Sequence, residues 1–167
     1  MASLEYILTG TLIILSTSII YFGSTLREKN RISLAELRLK QIKYINNLDA
    51  DRALTEILWN WSWEDYDDYW NKYSPKTNLE ANVTRRIARN YYVALGTMVR
   101  KGDLDLRLLY ELNPSGVTRY WEKIGPIAIE FRKRNSYPDY LEPVEYLAER
   151  FEVFRGKRGI PTPGKVR

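Results

Sequence analysis

One run of residues, from Leu4 to Leu26, is long and apolar enough to cross a lipid bilayer. It reads LEYILTGTLIILSTSIIYFGSTL, with Glu5 as its only charged residue. At a rise of about 1.5 Å per residue, a helix of about 20 such residues matches the ~30 Å hydrocarbon core. A cleaved secretory signal is the alternative, but such signals begin with a basic region, which this chain lacks. The sequence therefore predicts an uncleaved transmembrane helix over residues 4–26.

Small and hydroxyl-bearing residues recur every seven positions within this segment. A seven-residue repeat keeps them on one side of a helix, where small side chains let a second helix approach closely. The alternative is that the hydroxyl groups bond to carbonyls of their own helix and need no partner. We expect a partner helix from another transmembrane polypeptide. The residues expected to face it are Thr9, Gly10, Ser16, Thr17, Gly23 and Ser24.

The residues that flank the run predict its orientation. Arg27, Lys29 and Arg31 follow it, whereas no Lys or Arg precedes it. Basic residues concentrate on the cytoplasmic side of a membrane span. We therefore expect the N-terminus outside and residues 27–167 in the cytoplasm.

The composition narrows the functional classes. The 167-residue chain contains no Cys and no His. This excludes disulfides and thiolate metal sites, and it removes the commonest general base and metal ligand. We expect no catalytic residue, metal site or cofactor. An enzyme is the less favoured alternative, and its chemistry would have to come from carboxylates and arginines, namely Glu64, Asp65, Asp67, Asp68, Arg85, Arg86 and Arg89.

The segment after the span predicts a helix that leaves the membrane without a break, because residues 31–48 contain neither Gly nor Pro. It carries two apolar stripes. A helix with two such stripes is expected to be covered on two sides and so to belong to the globular domain as well as to a stalk, residues 27–48. A dimeric coiled coil would explain only one of the stripes. The first stripe is Ile32, Ala35, Leu39 and Ile42, and the second is Leu34, Leu37, Tyr44 and Leu48.

Residues 49–73 are rich in Trp and Tyr. Two short helices are predicted, residues 52–61 capped by Asp49 or Asp51, and a second helix opened by Ser62 and ending at Tyr73. The aromatic residues form either a core wall with an acidic back or a shelf that contacts the bilayer interface or a partner. The ligand spacing of a calcium loop is missing. The candidate docking residues are Trp59, Trp63, Tyr66 and Trp70.

A long helix over residues 79–101 is predicted to be the centre of the domain, capped by Asn78 and ended by Gly102. Gly96 would allow another backbone to come close. The apolar face is predicted as Leu79, Val83, Ile87, Tyr91, Leu95 and Met98, with Trp59, Trp70 and Trp121 packed around the helix. Its arginines, Arg85, Arg86 and Arg89, are expected to pair with the acidic segment 49–80, with nucleic-acid binding as the alternative.

Three more helices follow from their terminal residues. Asp103 is expected to cap residues 105–112, and Ser115 to cap a helix to Arg134 that residues 125–126 break or kink. The last helix has Pro143 at its first position and ends at Gly156. Its predicted buried residues are Val144, Leu147, Ala148 and Phe151.

Residues 155–167 should form a flexible basic tail, since they are rich in Gly and Pro and contain no acid. The tail could bind anionic lipid headgroups, a protein or a nucleic acid. Its basic residues are Arg155, Lys157, Arg158, Lys165 and Arg167. The predicted fold class is therefore all-α: one transmembrane helix, a cytoplasmic bundle of about five to seven helices over residues 27–154, and this tail.

Several short sequences resemble one family. They are Arg89-Asn90-Tyr91-Tyr92, Leu95-Gly96, residues 99–105, Arg119-Tyr120-Trp121-Glu122 and Tyr140-Leu141-Glu142. Together they resemble a family of membrane-anchored helical proteins known as a domain of unknown function, over about residues 30–150. The resemblance implies an N-terminal span and an all-helical domain, with no activity to transfer.

Three functional classes follow from these features. The favoured one is a non-catalytic accessory or structural subunit of a membrane protein complex. The second is a membrane-tethered module that binds nucleic acid or anionic lipid, and the third is an enzyme. No Gly-rich phosphate loop, nucleophile elbow or metal motif supports the third class.

Overall fold

The structure, a computed structural model, describes the backbone of residues 2–159 and the side chains of residues 15–159. All regular secondary structure in this part of the chain is helical, which confirms the predicted all-α class. The chain divides into two compact units, Met1–Tyr44 and Ile45–Arg167. The helices are α1 (Ala2–Ile45), α2 (Leu48–Thr55), α3 (Tyr66–Tyr73), α4 (Leu79–Lys101), α5 (Leu106–Leu112), α6 (Gly116–Asn135) and α7 (Glu142–Lys157), and a π-helical turn (Glu56–Asn60) follows α2.

Helix α1 is continuous over 44 residues, as the lack of a break after the apolar run predicts. Among the described residues, no helix combines the length and the hydropathy of a membrane span. The prediction that both apolar stripes are covered was wrong, because Leu37 and Leu39 are 50% and 66% exposed. The helix also ends before Leu48, since the Asn47 side chain accepts the Ala50 N–H and so starts α2. Asn47, and not Asp49 or Asp51, is therefore the cap of the next helix.

The π-helical turn changes which tryptophan faces the core. Trp61 is buried, whereas Trp59 is 63% exposed, so the prediction that Trp59 packs around α4 was wrong. A π turn holds more residues than an α turn and rotates the side chains that follow it relative to an unbroken α-helix. The α-helical spacing used for the sequence prediction therefore does not apply to Trp59.

Helix α3 begins later than predicted. Asp65, and not Ser62, is its N-cap, and its carboxylate accepts the Asp68 N–H at 2.8 Å. The Asp68 carboxylate accepts the Glu64 N–H at 3.0 Å, so a second backbone donor at the start of the helix is satisfied. The most buried residue of α3 is Tyr69, which is not among the predicted docking residues.

Helix α4 has the predicted bounds and caps. The Asn78 side chain accepts the Ala81 N–H, and Gly102 ends the helix with a φ of 79°. The helix packs against α2 and α7. The predicted apolar face is only half right, because Leu79, Val83 and Ile87 are exposed, while the small residues Ala81 and Ala88 are buried together with Tyr91, Tyr92 and Leu95.

The last three helices complete the bundle. Asp105, and not Asp103, caps α5, since its carboxylate accepts the Arg107 N–H. Helix α6 continues through Pro126 to Asn135, so of the predicted break or kink the break does not occur. In α7 all four predicted residues are buried, and the helix extends past Gly156 to Lys157.

Three buried tyrosines should make this domain less stable at alkaline pH. Burial raises the pKa of Tyr69 to about 12, and it also raises the pKa values of Tyr92 and Tyr120. In the unfolded chain these phenols lose their protons near pH 10. Above that pH the unfolded state holds fewer protons than the folded state, so stability falls as pH rises. Between its pKa in the unfolded state and its pKa in the folded state, each tyrosine lowers the free energy of unfolding by about 1.4 kcal/mol per pH unit.

We therefore expect the domain to unfold cooperatively above pH 10, with tyrosinate absorbance rising together with the loss of the helical circular dichroism signal. Tyr69→Phe should make the free energy of unfolding fall less steeply between pH 10 and 12. The change in slope should correspond to about one proton. The control is Tyr137→Phe, because Tyr137 is 53% exposed and does not belong to the buried core. Ionisation of all tyrosines near pH 10 with full retention of helix would contradict this expectation.

Candidate functional site

The aromatic segment between the π-helical turn and α3 is fixed in place by several contacts. The rings of Trp61 and Tyr73 stack with centroids 4.0 Å apart. The Tyr73 hydroxyl accepts the Ser62 N–H at 3.1 Å. The Lys123 ammonium on α6 donates to the carbonyl oxygens of Leu58 and Trp61 at 2.7 and 2.8 Å. These contacts hold the segment against α6, and partial burial lowers the pKa of Lys123.

An open groove of about 310 Å³ lies between this segment and α6, and we call it the aromatic groove. Its apolar lining comes from two aromatic rings of one segment and two aliphatic side chains of α6. Its polar lining contains four carboxylates and one guanidinium, which give a formal charge of −3. The lining residues are Trp63, Glu64, Asp65, Tyr66, Asp67, Pro126, Ile127, Glu130 and Arg134.

Arg134 is the one cation in the lining of the aromatic groove. It forms ion pairs with Asp67 and Glu130, and its guanidinium lies 4.4 Å from the ring centroid of Tyr66. Hydrogen bonds to both carboxylates raise the pKa of Arg134, and the bond from Arg134 lowers the pKa of Glu130. The arginine therefore holds Tyr66 and one wall of the groove in a defined position.

Two of the four predicted docking residues, Trp63 and Tyr66, line the aromatic groove. Trp70 lies beside it, with its ring parallel to that of Tyr66 at 6.2 Å between centroids. Trp59 is not among the lining residues and is exposed on the π-helical turn. The contribution of α6 to the groove was not predicted from the sequence. Pro126 inside a helical pattern is nevertheless a signal of an irregular helix surface.

Among the described residues, Arg85, Arg86 and Arg89 form no ion pair with the acidic segment 49–80, whose carboxylates Asp49, Asp67 and Asp68 pair with other residues. Arg85 lies 5.1 Å from the ring centroid of Trp70 and donates to Asn82, and Arg89 donates to Asn90. Asp67 in the acidic segment pairs instead with Arg134 of α6. Among the described residues, no group of three or more acidic side chains is placed to hold a metal ion.

The predicted transmembrane partner face is described only in part. Thr9 and Gly10 lie outside residues 15–159, the part of the chain whose side chains the structure describes. Ser16 and Thr17 are exposed on α1, and Ser24 donates to the Tyr21 carbonyl at 2.8 Å. The bond of Ser24 within its own helix is the alternative considered for these hydroxyl groups. A Cβ added at Gly23 would meet no atom within 4 Å.

Helix α7 includes the first three residues of the predicted basic tail, residues 155–157. Arg155 is buried in α7, where it donates to the carbonyl oxygen of Pro114 at 2.7 Å and pairs with Glu152. Its assignment to a flexible tail was wrong, because a side chain that binds a carbonyl across the bundle is part of the core. Lys157 is the last residue of α7, and Arg158 lies over the Phe154 ring. Lys165 and Arg167 lie outside the described residues.

Comparison with known proteins places the chain in a family. A family model described as a domain of unknown function, DUF4760, matches residues 32–151 of the 167. No curated protein and no solved structure matches the chain. The matched range starts in α1 and ends in α7, so it includes every element that forms the aromatic groove. The chain therefore belongs to the DUF4760 family.

Proposed function

We propose that this protein is a non-catalytic accessory or structural subunit of a membrane protein complex and that it docks on its partner through the aromatic groove. The observation that carries the proposal is the groove itself. Its two rings are held in the free protein by packing on other rings and by cation–π contacts with Lys123 and Arg134, so a partner segment does not have to order them. Partly exposed Trp and Tyr side chains are also typical anchors of protein interfaces.

The charge of the groove defines the partner segment. Four carboxylates and one guanidinium around aromatic rings favour a cationic side chain over an anionic one. A Lys or Arg of the partner would lie beside Trp63 and pair with Glu64, because the ammonium of Lys123 already lies 5.4 Å from the centroid of the Trp63 ring. The same charge repels phosphate groups. We therefore assign the groove to a basic protein segment and not to a nucleic acid or an anionic lipid.

Membrane attachment belongs to the same proposal and is supported by the sequence. The apolar run of residues 4–26 has the length of a span, and Arg27, Lys29 and Arg31 follow it. In this topology the N-terminus is outside and the helical domain is cytoplasmic. The span would bind other transmembrane subunits, and the domain would contact their cytoplasmic parts.

The test is recovery of the tagged full-length protein from washed membranes in mild detergent, with quantification of the proteins that co-purify. Glu64→Lys reverses an exposed charge of the groove without touching the core. We expect this variant to recover about tenfold less of the partner protein, which corresponds to a loss of ~1.4 kcal/mol in binding free energy. The control is Glu149→Lys, an identical charge change on the exposed side of α7.

Three results would contradict the proposal, and they are separable. Equal partner recovery with Glu64→Lys and Glu149→Lys would show that the groove is not the docking surface. Recovery of the wild-type protein in the soluble fraction would remove the membrane anchor. Loss of the partner in both variants would indicate a response to net charge and would also overturn the assignment to the groove.

A further inference from the structure

Residues 160–167, which lie outside the described part of the chain, have a sequence that fits the chemistry of the aromatic groove, and we call them the proline segment. They read IPTPGKVR. Proline fixes its own φ at about −65° and disfavours the helical region for the residue before it. The sequence of residues 160–163 therefore favours an extended conformation at four consecutive positions. Two cations, Lys165 and Arg167, follow them.

The lining of the aromatic groove has the features that bind such a segment. Trp63 and Tyr66 are half-buried and form one wall, and Pro126 and Ile127 contribute apolar surface from α6. Grooves lined by aromatic rings bind extended proline-containing segments, because a segment restricted to an extended form loses little conformational entropy when it docks. The groove therefore suits a proline-containing segment better than a flexible basic one.

The carboxylates of the groove indicate where a cation of the segment would bind. Three of the four already have a role in the described structure, since Asp67 and Glu130 pair with Arg134 and Asp65 caps α3. Glu64 is exposed and forms no ion pair within the part of the chain that the structure describes. It is next in the chain to one of the two groove rings. A segment that packs on this ring can therefore pair a cation with Glu64.

The direction of α7 places the start of the proline segment away from the groove of the same chain. Arg132 near the end of α6 pairs with Glu145 near the start of α7, while Arg155 at the other end of α7 donates to the Pro114 carbonyl just before α6. Helix α7 is therefore antiparallel to α6 and ends beside the start of α6. Glu130 of the groove lies about 200° around α6 from Arg132, so the groove is on the side of α6 away from α7.

The reach of the proline segment excludes the groove of its own chain for both prolines. Pro126 is the first residue of α6 in the groove, and it lies ten residues, or about 15 Å, along the helix from Gly116. Pro161 and Pro163 extend at most about 7 and 14 Å past Gly159, at about 3.6 Å per residue. The path around α6 lengthens the distance further. A second copy of the chain is not limited in this way.

We propose that the aromatic groove of one copy binds the proline segment of a second copy, with its two prolines against the exposed parts of Trp63 and Tyr66 and with Lys165 beside Glu64. The inference rests on the proposed function of the groove as a docking surface for a basic segment. Each copy offers one groove and one proline segment, so the contact is head-to-tail. The segment of a partner protein and the proline segment would compete for the same groove.

The test is disulfide cross-linking between two purified versions of the full-length protein in detergent, where the natural chain offers no competing thiol because it contains no Cys. One version carries Ser62→Cys, at an exposed position beside the groove, and the other carries Val166→Cys in the proline segment. The matched control replaces the first version by Glu149→Cys, at an exposed position of α7. We expect a mild oxidant to give at least tenfold more heterodimer with Ser62→Cys than with the control.

Further substitutions in the two versions test the charge pairing and the role of the prolines. Adding Glu64→Lys to the Ser62→Cys version should lower the heterodimer yield about tenfold, and adding Lys165→Glu to the Val166→Cys version as well should restore most of it. Replacing Pro161 and Pro163 together by Ala should lower the yield severalfold, because the segment then loses its preference for the extended form.

The outcomes that would contradict the inference differ from those that contradict the proposed function. Equal heterodimer yields from Ser62→Cys and Glu149→Cys would overturn the groove as the site. Yields that do not respond to the loss of both prolines would overturn recognition of an extended segment. A version with both Ser62→Cys and Val166→Cys that closes an intramolecular disulfide at every dilution would assign the groove to the segment of the same copy and overturn the second copy. Each of these results concerns the purified protein alone, so the inference can fail while Glu64→Lys still reduces recovery of the partner from membranes.

Discussion

The variant Leu95→Asp should lose a large part of the stability of the domain and melt far below the wild type. Leu95 lies in the middle of α4 and is fully buried. A carboxylate there would have no hydrogen-bond donor and no water, so it would either stay ionised at a high cost or take up a proton and still lose its packing. We expect a loss of about 4 kcal/mol or more in the free energy of unfolding. That is a large part of the 5–15 kcal/mol typical of a domain.

The matched control is Leu79→Asp in the same helix, because Leu79 is 65% exposed and stands at the helix N-terminus, where an acid is favourable. Circular dichroism and thermal unfolding of the full-length protein in detergent measure both variants. We expect the control to melt within a few degrees of the wild type. If Leu95→Asp retained the wild-type helical signal and melting temperature, the position of α4 at the centre of the bundle would be wrong.

The parts of the fold that could be predicted depend on neighbouring residues. The bounds of α4 are correct because Asn78 and Gly102 act on the backbone within one turn of themselves. The buried face of α7 is correct because its apolar residues form a single stripe. A local sequence signal of this kind predicts a helix end or a buried face correctly when no second residue nearby competes for the same role.

The errors arose where two local choices competed or where distant elements decided. Asn47 and Asp49 are both good caps, and the sequence alone does not rank them. The π-helical turn rotates the chain so that Trp61 is buried and Trp59 is exposed. Arg155 resembles a tail residue, but its partner is the Pro114 carbonyl, 41 positions away.

One wall of the aromatic groove could likewise be predicted from neighbouring residues, whereas the other wall depends on a distant part of the chain. Trp63 and Tyr66 could be selected from the sequence because large aromatic residues clustered beside acids are typical of contact surfaces. The opposite wall comes from Pro126, Ile127 and Glu130, about 60 residues later in the chain. Only the packing of α3 and the π-helical turn against α6 brings these walls together. The site therefore required the tertiary structure.

Gly96→Ala should destabilise the domain more than any other single methyl addition at a described glycine within a helix. A Cβ at this position would lie well under 3.0 Å from the Pro143 carbonyl oxygen, so α4 and the start of α7 would have to separate. The contact is with backbone, which cannot move aside as the end of a flexible side chain can. We expect a loss of about 2–4 kcal/mol, although alanine favours the helix by about 1 kcal/mol over glycine.

Gly156→Ala is the matched control for this prediction. Gly156 also lies in a helix, α7, but a Cβ there would meet no atom within 4 Å. The same substitution should therefore raise stability by about 0.5–1 kcal/mol through helix propensity alone. Thermal unfolding of the two variants beside the wild type measures the difference. Because the two substitutions differ only in what surrounds the added methyl group, similar melting temperatures would show that α4 and α7 are not in backbone contact at Gly96.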